Sequence, residues 1–150
     1  MTLMSRLIVY TNNPITAEFF EAKNQNIELK WVASASIEVL TAVRTVIHQG
    51  AVLLSDPLSG MRNTQPLFSR VTTTSRAAPI SKMNAISPFL SLLITQPKDT
   101  VDFMSVKRVD EAISTYKKNA RLRFKSHNEE ALKNFKIADL DTLLFTLQTD

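Results

Sequence analysis

Two short polar stretches carry the residue types that could bind a ligand. Residues 11–14, with the order Thr-Asn-Asn-Pro, follow one apolar run, and residues 55–63 follow another. Together they offer side-chain amides, a carboxylate, hydroxyls and a guanidinium, which can hold a small polar ligand or an anion. The candidate ligand-binding residues are Asn12, Asn13, Ser55, Asp56, Ser59, Gly60, Arg62 and Asn63.

Each stretch also has a purely structural interpretation. From Asp56 to Gly60 the order Asp-Pro-Leu-Ser-Gly is typical of a tight turn, in which the carboxylate accepts backbone N–H groups and glycine permits a positive φ. Asn13 is expected to cap a helix that begins at Pro14. Asn12 is not expected to cap the helix, so it is the better candidate for a ligand contact. Neither stretch has the glycine pattern of a phosphate or dinucleotide loop, which disfavours a nucleotide.

Catalysis at this site is the alternative to binding. An enzyme would use Asp56 as the acid or base, with Ser59 or Asn12 orienting the substrate. His48 is expected at the opposite end of a strand of four or five residues, about 15 Å from Asp56. Because no nucleophile–base pair is evident, we assign no catalytic residue. The sequence favours a non-catalytic accessory protein that binds a small polar ligand or a protein partner through residues 11–14 and 55–63.

The elements that would position both loops alternate as strand, helix, strand, helix, strand. The helices are expected from Pro14 to about Lys23 and from Ile37 to His48, and Gly50 ends the second through a positive φ. The predicted strands cover residues 7–10, 27–33 and 51–54. Short connections and right-handed crossovers make this a parallel unit. With the strand order 2-1-3, the loops after strands one and three meet at the sheet edge where such folds bind ligands.

The rest of the chain predicts one more strand and several helices. Residues 67–74 are expected to form a fourth strand, and residues 89–95 a short helix or, alternatively, a strand. A long helix is expected from Asp102 to about Arg123, another from the capping box that ends at Glu129, and a last one capped by Asp139. The predicted fold is a parallel Rossmann-like α/β sheet of about four strands flanked by helices. We expect a single domain over residues 1–150, in which residues 124–150 can form a helical C-terminal extension.

Composition narrows the class of protein and of site. The 150 residues are 44% hydrophobic and 21% charged with a net charge of +4, which is typical of a globular protein. There is no cysteine and there are two histidines, so disulfides, thiolate sites and multi-histidine metal sites are not expected. No long apolar run or signal-peptide pattern occurs, which predicts a cytoplasmic protein without a membrane span.

The expected partners follow from charge and from uncovered apolar surface. The basic face between Lys107 and Lys125 is interpreted as a solvated helix face, so nucleic acid is not an expected partner. The half-exposed strand at residues 27–33, which carries Trp31 on its buried side, and the apolar C-terminal helices need a covering surface that a homodimer would supply. No cofactor is indicated by any motif.

The stretch from residue 7 to about residue 120 resembles the GrdX family, small proteins associated with the glycine reductase system. The shared features are Thr11-Asn12-Asn13-Pro14, Val39-Leu40, Val43-Arg44, Ile47-His48, Gly50, Asp56-Pro57-Leu58-Ser59-Gly60, Asn63, Pro66 and the helix near residues 113–118. The Asn-Asn-Pro and Pro-Leu-Ser-Gly motifs at this spacing carry most of the resemblance. It implies a small α/β protein with a loop pair, and it brings no catalytic residue, cofactor or substrate with it. About thirty residues at the C-terminus extend beyond it.

Overall fold

A three-stranded mixed sheet and four helices make up the described part of the chain. The computed structural model describes residues 7–23, 27–59, 87–119 and 129–149. The elements in chain order are β1 (Leu7–Thr11), α1 (Pro14–Lys23), β2 (Ile27–Trp31), α2 (Ser36–Ile47), β3 (Ser91–Thr95), α3 (Phe103–Lys118) and α4 (Glu129–Thr149). The first two helices lie where their apolar spacing and, for α1, the Asn-Pro start predicted them.

The sheet has the order β2-β1-β3. β1 runs parallel to β2, with Leu7 opposite Ile27. β1 runs antiparallel to β3, with Thr11 opposite Ser91. All five residues of β3 are buried, as expected of a strand whose two faces are both covered.

The predicted parallel Rossmann-like sheet is therefore wrong. The place beside β1 that was predicted for residues 51–54 is taken by β3, which runs antiparallel. Residues 51–55, called the bridge segment below, lie on the far side of β3 and make one isolated antiparallel bridge, Leu53 to Ile94. The physical reason is burial, because β3 is buried at every position whereas residues 51–54 alternate between buried and half-buried. The fourth strand predicted at residues 67–74 falls outside the described residues.

Two other predicted elements are corrected. Residues 91–95 form a strand, so the helix predicted over residues 89–95 is wrong and the strand alternative is confirmed. Trp31, which the alternation of strand two placed on the buried side, is 51% exposed at the end of the edge strand. Ile27 and Leu29 do pack against the core, so the alternation is confirmed for those two residues.

Helices cover both faces of the sheet. On one face α2 and α3 enclose a core that includes Ile8, Leu40 and Tyr116. On the other face α1 and α4 enclose a core that includes Val9, Phe20 and Leu143. Ile8 and Val9 belong to different cores because successive side chains of a strand point to opposite faces. None of the described helices combines the length and the hydropathy that a membrane crossing requires.

The C-terminal helix differs from its prediction. α4 is one helix from Glu129 to Thr149, and Asp139 lies in its middle. The cap predicted at Asp139 is therefore wrong. The residue is 6% exposed and faces the sheet.

Gly50 has the backbone that the sequence predicted for it. Its φ is +112°, and a Cβ at this position would lie 2.0 Å from the carbonyl oxygen of Lys98. The Lys98 N–H donates to the Gly50 carbonyl at 3.1 Å. Glycine is required here both by the positive φ and by the close approach of another backbone, and this contact fixes the start of the bridge segment.

Candidate functional site

Asn12 joins three loops at the carboxyl end of β1. Its Nδ2 donates to the carbonyl oxygens of Ser34 at 2.8 Å and Pro88 at 2.9 Å, and its Oδ1 accepts the Leu90 N–H at 2.8 Å. Both amide hydrogens of this side chain are thus used within the chain, and the residue is 9% exposed. The sequence favoured Asn12 for a ligand contact, but its side-chain amide instead links loops of the chain to one another.

Asn13 has the predicted capping role and a second role. Its Oδ1 accepts the Ile15 N–H at 3.1 Å, which confirms the cap at the start of α1. Its Nδ2 donates to the Lys136 carbonyl at 2.9 Å and to Asp139 Oδ2 at 3.0 Å. The second role links α1 to the distant helix α4.

A buried polar cluster surrounds the carboxyl group of Asp139. Ser91 donates its backbone N–H to Oδ1 at 2.9 Å and its hydroxyl to Oδ2 at 2.5 Å. Ser91 Oγ also lies 2.7 Å from Thr11 Oγ1 and 3.2 Å from Thr16 Oγ1. These four residues and Asn13 are called the Asp139 cluster, and each is 6% exposed or less.

The protonation state of the cluster is set by two opposing effects. Burial raises the pKa of the Asp139 carboxyl, while the hydrogen bonds from Ser91 and Asn13 lower it, and burial dominates. Ser91 has a single hydroxyl proton, and it donates this proton in the hydrogen bond to Asp139 Oδ2. Thr11 then donates its hydroxyl proton to Ser91 Oγ. The hydrogen bonds thus run in one direction, from Thr11 through Ser91 to Asp139. The cluster ties α4 to the sheet next to the loop at residues 11–14.

Sequence reasoning missed Asp139, although a signal was present. Phe135 and Leu143 lie four residues before and after it, and both are buried. In a single helix this spacing puts all three on one face. Dividing residues 129–149 into two helices hid the buried position of the carboxylate.

The loop after the bridge segment forms the predicted turn. Asp56 Oδ1 accepts the Leu58 N–H at 2.9 Å, and the Ser59 N–H donates to the Asp56 carbonyl at 3.1 Å. Ser55 Oγ accepts the Leu93 N–H at 2.9 Å, which attaches the start of the loop to β3. Among residues 55–59, Asp56 has the only polar side chain that is partly exposed. Gly60, Arg62 and Asn63 lie outside the described residues.

The two candidate loops share one edge of the sheet without being neighbours. Thr11 ends β1 opposite Ser91, and Ser55 is bonded to Leu93 of the same strand β3. β3 therefore separates the loops by two strand spacings, about 10 Å. The predicted side-by-side placement is corrected to this wider one, with the start of β3 between the loops.

Two side chains of α3 cover the outer edge of the bridge segment. Ser105 Oγ accepts the Leu53 N–H at 2.8 Å. Arg108 donates from Nη1 to the Leu53 carbonyl at 3.3 Å and from Nη2 to the Ser55 carbonyl at 2.9 Å. The spacing of three places both side chains on one helix face. Sequence reasoning did not single out Arg108.

An open groove of about 670 Å³ lies elsewhere, between α2 and α3. It is lined by Thr41, Arg44, Asp110, Ile113, Ser114, Lys117 and Lys118. Arg44 Nε and Asp110 Oδ1 are 2.6 Å apart within it. None of the predicted site residues lines this groove. Within the described ranges no group of three histidine or acidic side chains is placed to hold a metal ion.

Comparison with known proteins gives one match. Residues 8–74 match the family model described as GrdX-like protein. No curated protein sequence matches the chain, and no solved structure does either. The matched residues include both candidate loops, whereas Ser91, Arg108 and Asp139 lie beyond them. The wider resemblance, to about residue 120, is not covered by this match.

Proposed function

Because residues 8–74 match the GrdX-like family model, we propose that the chain is a non-catalytic accessory protein. It binds a small polar ligand or a protein partner at one sheet edge, through the loops at residues 11–14 and 55–63. Asp56, Ser55 and Ser59 contribute to binding in the described part of the second loop. Gly60, Arg62 and Asn63 complete this proposed site.

The observation that carries the proposal is that the first loop and the start of the second are held at the same end of the sheet by bonds to β3 and to the residues just before it. Asn12 bonds to Pro88 and Leu90, just before β3, and Ser55 bonds to Leu93 within it. Loops fixed in this way lose little conformational freedom when a ligand binds, which favours affinity.

Within this site the asparagines and the aspartate have different roles. Asn12 and Asn13 hold the first loop in position, because their amide groups are bonded inside the chain. Asp56 is the side chain proposed to contact the ligand, because it is partly exposed in the turn.

A second copy of the chain is the protein partner to be tested first. β2 is an edge strand in the described sheet and ends in Trp31, which is 51% exposed. Phe145 on α4 is 57% exposed. Exposed aromatic side chains of this kind are enriched at protein interfaces. Sedimentation equilibrium over a range of concentrations tests this arm, and a monomer throughout would remove it.

A thermal-shift screen tests the ligand arm. The compounds are amino acids, small carboxylates, phosphates and neutral amides, and the proteins are the wild type, Asp56→Asn and Asp99→Asn. Asp99 is exposed in a loop, so Asp99→Asn removes the same charge at a position outside the proposed site. We expect a compound that raises the melting temperature of the wild type and of Asp99→Asn but not of Asp56→Asn. A screen in which no compound shifts the wild type, together with a monomeric chain, would overturn the proposal.

A further inference from the structure

Arg108 reaches the proposed site from α3. It lies on the face of α3 that carries Ser105, and its Nη2 donates to the carbonyl of Ser55, the first residue of the second loop. The side chain is half-buried. A guanidinium has five N–H groups, and two of them are used by the carbonyls of Leu53 and Ser55, which leaves three.

The charge of Arg108 has no carboxylate partner among the described residues. The ion pairs found there join Arg44 to Asp110 and Lys30 to Glu28. Arg44 is more exposed than Arg108 and still has a partner at 2.6 Å. Partial burial removes some of the hydration of a cation, and carbonyl dipoles offset only part of that loss.

Arg108 covers the outward carbonyls of Leu53 and Ser55, but that role does not by itself require an arginine. The outward N–H of Leu53 is satisfied by the neutral hydroxyl of Ser105. A neutral amide side chain could serve the carbonyls in the same way. The two carbonyl bonds therefore use neither the positive charge of Arg108 nor its three remaining N–H groups.

We propose that Arg108 recognises an anionic oxygen group, a carboxylate or a phosphate, on the ligand of the loop at residues 55–59, at a part of the ligand other than the one that contacts Asp56. This inference rests on the proposed function and specifies the class of its ligand. The remaining N–H groups of the guanidinium supply charge-assisted hydrogen bonds to the anion, and their planar arrangement suits the two oxygens of a carboxylate.

The test is an amide and arginine side-chain NMR titration with sodium succinate, inorganic phosphate and neutral succinamide. It uses the wild type, Arg108→Gln, Arg108→Lys and the control Lys107→Gln. Lys107 is the exposed neighbour on the same helix, so its variant removes one positive charge while leaving Arg108 in place. Amide dispersion in the absence of ligand reports whether each variant is folded.

We expect succinate or phosphate to shift the Arg108 Nε–H and the amides of residues 53–59 in the wild type and in Lys107→Gln. Arg108→Gln should bind the anion at least about tenfold more weakly, as the loss of charge-assisted hydrogen bonds predicts. Comparison of succinate with phosphate tells which anion the site prefers. Arg108→Lys should keep phosphate binding and lose preference for succinate, because ammonium is a point charge without the planar fork. That change in preference would not follow from a role in stability alone.

Two results overturn the inference without touching the proposed function. One is succinamide binding at residues 53–59 as tightly as succinate, and the other is equal anion affinity in the wild type and Arg108→Gln. If Arg108→Gln does not fold, unchanged preference in folded Arg108→Lys or an unmoved wild-type Nε–H overturns it. Absence of binding by every compound of the wider screen is the separate result that removes the ligand arm of the proposed function as well.

Discussion

Ser91 donates both its backbone N–H and its hydroxyl to the carboxyl group of Asp139, at 2.9 and 2.5 Å. The two residues are 48 positions apart in the sequence and lie on β3 and α4. Asn13 adds a third bond from the start of α1. One carboxyl group thus connects the C-terminal helix, strand β3 and the loop at residues 11–14.

Replacement of Asp139 should destabilise the fold. Asp139→Ala leaves the Ser91 N–H and the Asn13 amide buried without this acceptor, and we expect the free energy of unfolding to fall by about 3 kcal/mol. Urea denaturation followed by circular dichroism measures it. Glu130→Ala is the control, because Glu130 is exposed on the same helix and its loss should change stability by less than about 0.5 kcal/mol. Equal stability of the two variants would contradict a structural role for the cluster.

The raised pKa of Asp139 gives stability a defined dependence on pH. Burial moves the pKa of its carboxyl in the folded chain above the ordinary value of 3.8. Between these two pKa values the folded chain holds the proton and the unfolded chain does not, so Asp139's contribution to stability falls as pH rises through the folded pKa. The free energy of unfolding of the wild type, relative to that of Asp139→Asn, should decrease as the pH is raised from about 4 and should then level off. Urea titrations over a series of pH values measure this difference, and an increase with pH would contradict the assigned shift.

Asn12 should be more important for stability than a surface asparagine. Asn12→Ala removes three side-chain hydrogen bonds that join loops, and we expect a loss of about 2 kcal/mol in the free energy of unfolding. Asn12→Asp should cost at least as much, because its carboxylate would face the carbonyl oxygens of Ser34 and Pro88. Asn119→Ala, which removes one bond at the end of α3, is the control. A stable Asn12→Asp variant would show that the two carbonyls do not bind this side chain.

Gly50 should not tolerate a side chain. Gly50→Ala combines a φ of +112° with a Cβ placed 2.0 Å from the Lys98 carbonyl oxygen. We expect a loss of more than about 2 kcal/mol in the free energy of unfolding, because backbone must move and the positive φ is strained. Gln49→Ala at the exposed neighbouring position should be nearly neutral. A thermal melt of Gly50→Ala that superimposes on the wild type would contradict the close contact with Lys98.

The sequence predicted those features that depend on neighbouring residues. The cap at Asn13, the turn from Asp56 to Ser59 and the positive φ of Gly50 are local, and all three are present. The family assignment rests on motifs of the same local kind, and the match over residues 8–74 confirms it there.

Features that depend on competition between distant segments were not predicted. Residues 51–54 and 91–95 are both short apolar runs, and only the packed structure decides that β3 lies beside β1. Likewise, the tie of Asp139 to Ser91 and the reach of Arg108 to Ser55 join residues 48 and 53 positions apart. The periodicity of residues within one helix or strand does not predict which residue of a distant element will be its partner. The placement of a ligand in the loops remains a prediction.

The measurement that tests the proposed site most directly is an amide NMR titration of the wild type with the best compound from the thermal-shift screen. The largest shifts are predicted at residues 55–59, with smaller shifts at residues 11–14 across β3. The groove between α2 and α3, lined by Arg44 and Lys117 among others, should remain unshifted. Shifts confined to that groove, with residues 55–59 unmoved, would contradict the proposed site.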